Sequence, residues 1–365
     1  MYDIAEFDNS CDIVYALYNT LPEMKQERLK DKYNAAIELI KSKSYVPLDV
    51  NKLLLCDSTI LRCVDRLHLG EIDITDKKEV FKGSVRNTTY NKQKICSTCF
   101  LRRRRSLNED IAYSPEEKLM LYILVSTYLR RIEGKRITMY SNLTYIDLRD
   151  VHFIFGNNTP LKSNQSEKYI DIINLLIKDD IEIHVGDNYV DDNKKDYRSD
   201  SFTSWFSYIH EIRDYYGNII GYVYSFGELG ERLFSSTNYP TRYVPYKSLS
   251  INNRNYKQFE IARYLIYSAT DRKKKLTIQS IMSELYDYNS NKSYLDTLYD
   301  LSNPYNIKYL KAFLKSIVMV LDNISEQFNF ILCYNDEILK TSDINLYANM
   351  KDYNKLYLAI SHRTN

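Results

Sequence analysis

The chain has 365 residues, 44% of them hydrophobic and 27% charged, the proportions of a folded globular protein and not of a disordered one. Its formal net charge is only +2, which excludes a uniformly cationic protein, so any surface for a polyanion must arise from local clustering. At this length two or three domains can each bury a core.

The first residues, MYDIAEFDNSCDIVYALY, carry no basic lead and no long apolar core, and no run approaches the roughly 18 apolar residues of a membrane span. The expectation is a cytoplasmic protein without a membrane partner. Residues 1–81 read as a helical N-terminal region, with apolar spacing over Cys11–Ser44 and again over Asp49–Leu69. Periodicity then lapses, and residues 82–107 read as a basic linker or subdomain. Lys82, Arg86, Lys92, Lys94, Arg102, Arg103, Arg104 and Arg105 stand there without an acid between them. A cationic strip on a near-neutral chain is an electrostatic footprint for a polyanion, although a plain solvated charge run has the same composition.

Residues 108–235 begin with Ser114 as a helix N-cap and Pro115 at the first helical position, followed by two acids. That helix should end near Gly134. A short strand is predicted over Ile137–Tyr140, a helix over Tyr145–Phe155, and an amphipathic helix capped by Ser166 and reaching Asp180. The strand IEIHV, a polar loop over residues 186–201, a hairpin turning at Tyr216-Gly217-Asn218 and a short helix at Glu228–Phe234 complete this half.

Residues 236–365 repeat the plan. A helix is predicted over Tyr256–Thr270, then the basic Arg272, Lys273, Lys274 and Lys275, then a helix capped by Thr277. The segment KSYLDTLYDLS is a candidate for an extra helix before a long one starts at Asn303-Pro304. Its apolar positions Ile307, Leu310, Leu314, Ile317, Leu321 and Ile324 form one 3-4 stripe, and Lys308, Lys311 and Lys315 lie beside it. Strands follow at Phe328–Tyr334 and Lys355–Ser361.

Each half therefore reads helix, helix, amphipathic helix and β ribbon, the winged-helix order, in which the third helix enters the major groove. The expected fold is α+β and mostly helical: two winged-helix modules with β-hairpin wings behind a helical N-terminal region. Residues 113–332 also resemble the tandem winged-helix initiators of theta-replicating plasmids. The likeness rests on TSWFSYIHEIRDYYGNIIGYVYSFGELGERLF, on RYVPYKSLSINNRNYKQFEIARYLIYSATDRKKKLTIQSIMSELY and on NIKYLKAFLKSIVMVLDNISEQFNFIL. It departs from the family at Asn323-Ile324-Ser325, where a Glu-Ile-Asn type sequence is usual, and residues 1–107 have no counterpart in it.

The resemblance implies double-stranded DNA with origin repeats as the ligand, host replication proteins as partners, and a possible homodimer. The expected DNA-binding residues are Lys162, Lys168, Lys308, Lys311, Lys315 and Ser316, on or just before the third helices. To these are added Arg102, Arg103, Arg104, Arg105, Arg272, Lys273, Lys274 and Lys275. A winged-helix transcription regulator or phage replisome organiser shares every one of these features. A protein-interaction scaffold with Tyr-rich helices is the reading from another class. The abundance of Tyr, 35 residues beside 9 Gly and 7 Pro, also follows from AT-rich codons.

No catalytic role is expected. The chain has no G-x-x-x-x-G-K-[ST], no nucleophile motif, and five His of which no two are separated by one residue. Tyr215 and Tyr216 read as hairpin residues. The six Cys are scattered and read as reduced thiols. No cofactor or metal is expected; Cys63, His68, Cys96 and Cys99 are the candidate zinc ligands, at irregular spacing.

Overall fold

The computed structural model describes residues 31, 34–39, 41, 48–56, 58–66, 72–73, 94–106, 109–110, 112–133, 143–178, 180–191, 194–234, 241–245, 256–268, 274–283, 285–287, 292–298, 300–324, 328–340 and 355–362. They form an α+β structure of helices and small antiparallel sheets, in which the shortest strands are β2 (Ile72–Asp73), β4 (Glu109–Asp110), β12 (Tyr286–Asp287) and β13 (Lys292–Ser293). No helix among them is long and apolar enough to cross a membrane.

At the centre is α2 (Pro115–Glu133), whose residues 117–129 are all buried. A helix buried on every face needs partners all round it, polar ones for Glu117 and Lys118 included. It meets β1 (Lys52–Cys56) on one side and α4 (Ser163–Lys178) and β5 (Thr144–Asp147) on others. The start of α2 is set locally. The Ser114 hydroxyl accepts from the Glu117 N–H at 3.3 Å, and Glu117 Oε2 accepts from the Ser114 N–H at 2.6 Å, a reciprocal capping box.

The first unit continues from α2 through β5, α3 (Leu148–Ile154) and α4 to the hairpin of β8 (Tyr208–Arg213) and β9 (Ile219–Ser225), then α5 (Glu228–Leu233). Its antiparallel sheet has the order β5-β9-β8. Alternation along the strands buries both faces. Ile146, Tyr222 and Tyr224 face the main core, whereas Tyr145, Ile212 and Val223 pack with Ala36 and Leu39 from the helical residues 34–39. Gly221 is obligatory in β9, because a Cβ there would lie 2.3 Å from the Ile146 carbonyl oxygen.

The second unit runs through α6 (Tyr256–Ser268), β11 (Lys274–Thr277), α7 (Ile278–Ser283), a 3-10 turn at Tyr294–Leu298 and α8 (Pro304–Ile324). It ends in β14 (Phe328–Tyr334), β15 (Glu337–Leu339) and β16 (Leu356–His362), with sheet order β11-β16-β14-β15. Thr277 Oγ1 accepts from the Ser280 N–H at 3.1 Å and caps α7 as predicted. Asn335 and Asp336 form the two-residue turn between β14 and β15 at φ of 49° and 69°, a conformation these residue types tolerate best after Gly. In both units the strand after the first helix pairs with the last strand, which lies between it and the penultimate long strand.

Several elements differ from the sequence expectation. The predicted loop over 186–201 belongs to a long hairpin of β6 (Asp180–Asp191) and β7 (Lys194–Phe202). The basic segment read as a linker or subdomain contains β3 (Lys94–Ser106), which pairs with β6 along Lys94–Arg104. The N-terminal region is not wholly helical: β1 precedes α1 (Thr59–Arg66) and pairs with β10 (Thr241–Pro245). Tyr145–Asp147 are strand and not helix, and α4 starts at Ser163 instead of after Ser166. The Ile137–Tyr140 strand and most of residues 1–47 lie outside the described residues.

Candidate nucleic-acid interface

The geometry of α8 comes from its sequence period. Leu310, Phe313, Leu314, Ile317, Val320, Leu321 and Ile324 are buried, and Ile307 is half-buried, so Phe313 and Val320 widen the predicted stripe. Each such side chain left wet would forgo roughly 1.5–3 kcal/mol, which fixes the rotation of the helix about its axis. Lys308, Lys311 and Lys315 are consequently exposed, within about 60° of one another around the helix at 3.6 residues per turn. Tyr305, Ala312 and Met319 share that outer face, with Asp322 as the acid among its exposed residues. Ser316 is half-buried and its hydroxyl donates to the Ala312 carbonyl at 2.9 Å, so it is engaged within the helix.

The outer face of α4 is of mixed sign. Lys168 and Lys178 are exposed beside Glu167 and Asp171. Lys168 Nζ lies 4.0 Å from Glu116 and 5.9 Å from the Phe155 ring centroid, and Lys162 is exposed just before the helix. A buried cluster joins α3 to α4. Tyr169 OH lies 2.8 Å from His152 Nδ1 and accepts from Asn157 Nδ2 at 3.2 Å. Burial holds the His152 pKa below its ordinary value and pushes Tyr169 up to about 12.

The four arginines divide. Arg102 and Arg104 are half-exposed, and Arg104 pairs with Glu182 at 3.6 Å. Arg103 corrects the expectation of a DNA contact. It is 1% exposed, donates to Glu117 Oε1 at 2.5 Å, Glu117 Oε2 at 3.2 Å and the Ala112 carbonyl at 3.1 Å, and lies 4.1 Å over the Tyr113 ring. Strand alternation is the reason: Arg103 turns inward where its two neighbours turn outward. Arg105 stands in β3 next to them.

Lys275 is exposed but held in the second hairpin, with Nζ 3.2 Å from Asp336 Oδ1 and 3.7 Å over the Tyr357 ring. Lys274 stands beside it in β11, whereas Arg272 and Lys273 lie outside the described residues. The partners Glu117 and Asp336 stand 14 and 61 positions along the chain from Arg103 and Lys275, so no local pattern marks them.

Three of the four zinc candidates stand on described elements. Cys96 and Cys99 stand three positions apart in β3, so their Cα atoms are about 10 Å apart along an extended strand and not in a tight turn. Cys63 is buried on α1, and His68 lies outside the described residues. Among the described residues no group of three or more His, Cys, Asp and Glu is arranged to hold a metal ion.

At the apex of the β8–β9 hairpin, Asp214 Oδ1 accepts from the N–H groups of Tyr216 and Asn218, each at 2.9 Å, and Asp214 N–H donates to the Asn218 carbonyl at 2.9 Å. Gly217 supplies the positive φ of 82° that closes this turn.

No family model matches the chain, and no curated protein matches it. Two solved structures show a distant likeness. One, of selenomethionine derivatives of domains 2 and 3 of RctB, has a TM-score of 0.36 and 8% identity over 74% of this chain and 91% of that one. The other, of RctB domains 2-3, has a TM-score of 0.31 and 12% identity over 58% of this chain and 76% of that one. Likenesses of this size carry no argument about the fold or activity of this chain.

Proposed function

We propose that the chain is a non-catalytic, double-stranded DNA-binding protein of two winged-helix units, acting as a replication initiator at iterated origin sites. The observation that carries this reading is the exposed, predominantly cationic face of α8, on the third helix of the second unit. Both units run helix, strand, helix, helix and hairpin, with the strand order of a winged helix, the architecture that lays its third helix in a major groove. Lys308, Lys311 and Lys315 neutralise phosphates there, and neighbouring side chains meet base edges. The mixed charge of α4 assigns the larger electrostatic share to the second unit. The initiator role, with recruitment of host replication proteins and a possible homodimer, rests on the three sequence passages that resemble plasmid initiators.

The test is selection of binding sites from a random duplex library, followed by titration of the winning site. The expected result is one enriched motif, repeated in tandem in the DNA flanking the gene, and an affinity that falls steeply between about 50 and 200 mM salt. An enriched motif without such repeats would favour a transcription regulator. No duplex binding at low salt would leave a protein-interaction scaffold as the better reading.

A further inference from the structure

We propose that the apex of the β8–β9 hairpin is a stacking site for an unpaired nucleobase of locally opened DNA, a role that rests on the DNA-binding reading above. Tyr215 and Tyr216 are 76% and 84% exposed at this apex, whereas Tyr222 and Tyr224 of the same hairpin are 1% and 0% exposed. Composition alone would scatter tyrosines over the surface. Two adjacent rings projecting from the end of a ribbon are a placement, not a composition.

The rings lie 5.5 Å apart with their planes at 88°. In that edge-to-face arrangement one ring covers at most one face of the other, so planar faces remain open to a planar ligand. The backbone beneath them is held in place. The Asp214 carboxylate accepts from two backbone N–H groups and from Asn218 Nδ2, which holds its pKa below the ordinary carboxylate value despite the opposing effect of desolvation. Little further conformational freedom of the turn is lost when a base settles on the rings.

Charge at the apex is balanced rather than cationic. Arg213 donates to the Gly217 carbonyl at 2.7 Å and pairs with Glu211 at 2.5 Å, and Asp214 adds a second carboxylate, so recognition here rests on the ring faces while phosphate contacts come from elsewhere on the chain. Stacking on aromatic side chains is tolerant of base identity and needs a base freed from its pair. The β14–β15 turn of the second unit carries Asn335 and Asp336 in place of aromatic residues. The second unit then grips paired DNA while the first holds an opened base.

The full-length chain is titrated with two labelled DNAs: a fully paired duplex carrying its selected site, and the same duplex with a short thymine bubble beside the site. The wild type is expected to prefer the bubble by about tenfold, within the range for stacking one base. Tyr215→Ala with Tyr216→Ala should abolish that preference and leave affinity for the paired duplex unchanged. Tyr215→Phe with Tyr216→Phe should keep it, because the rings and not the hydroxyls do the stacking. A wild type that binds both DNAs tightly and equally overturns the stacking site and spares the DNA-binding reading. So does a preference that survives in the Ala pair or vanishes in the Phe pair. Binding to neither DNA overturns both.

Discussion

Lys118 Nζ lies 2.6 Å from Glu260 Oε1, joining the first helix of one unit to the first helix of the other, with side chains only 3% and 7% exposed. Removing one partner leaves an uncompensated charge in the core, so Lys118→Met or Glu260→Gln is expected to cost about 3–5 kcal/mol. The double replacement Lys118→Met with Glu260→Met should recover most of that loss. A double-mutant cycle by urea denaturation measures the coupling, and additive losses would show that the two side chains act independently.

Glu117, His152 and His210 are among the groups that shape the acid limb of stability. Desolvation opposes ionisation of Glu117, but the hydrogen bonds and charge of Arg103, with those of Ser114, outweigh it and lower the pKa from 4.5. Its contribution is fully present above about pH 4.5 and is lost as pH falls through the lower folded-state value. His152 is lowered from 6.5 by burial, so folding binds it neutral, and its contribution fades as pH falls below that value. His210, lowered likewise by burial, adds to the same limb. Urea unfolding across pH should show His152→Asn weakening the dependence that begins near pH 6.5 and Glu117→Gln weakening the lower one. Unchanged profiles in both variants would remove these groups from the account.

Gly221→Ala places a methyl group against the Ile146 carbonyl oxygen and the Tyr145 ring, both tight neighbours in the middle of the first sheet. Overpacking of this kind typically costs about 1–3 kcal/mol, and a backbone oxygen yields less readily than a side chain. The expected outcome is a lowered melting temperature, and an unchanged one would mean that β5 moves aside freely.

Replacing Lys308, Lys311 and Lys315 together by Ala should reduce the slope of log affinity against log salt by up to about three units. Each exposed lysine should contribute under about 0.5 kcal/mol to stability, so the variant should melt like the wild type. A folded triple variant with an unchanged slope would make this face merely solvated.

The legible parts of this fold were those written in local sequence. Ser114 and Glu117 stand three apart and start α2 where the capping pattern says, and the stripe of α8 fixed which lysines face out. The β6–β7 hairpin was illegible because KKDYRSDSF lacks an apolar alternation, and its strand character comes from β6, itself paired with residues 94–104. Arg103 was misread for the same reason. Four consecutive arginines look like a solvated run until a partner strand imposes alternation and an acid on another element receives the inward one.

The pairing of β1 with β10 also bears on how the protein is made. Lys52 meets Pro245, so the first strand leaves the ribosome roughly 190 residues before its partner exists. At about 5–20 residues per second that is a wait of roughly ten to forty seconds, during which Leu53, Leu54 and Leu55 have no native cover from β10. Nascent chains stalled before Thr241 should leave these leucines accessible to chaperones and proteases, and chains extended past Pro245 and clear of the exit tunnel should protect them.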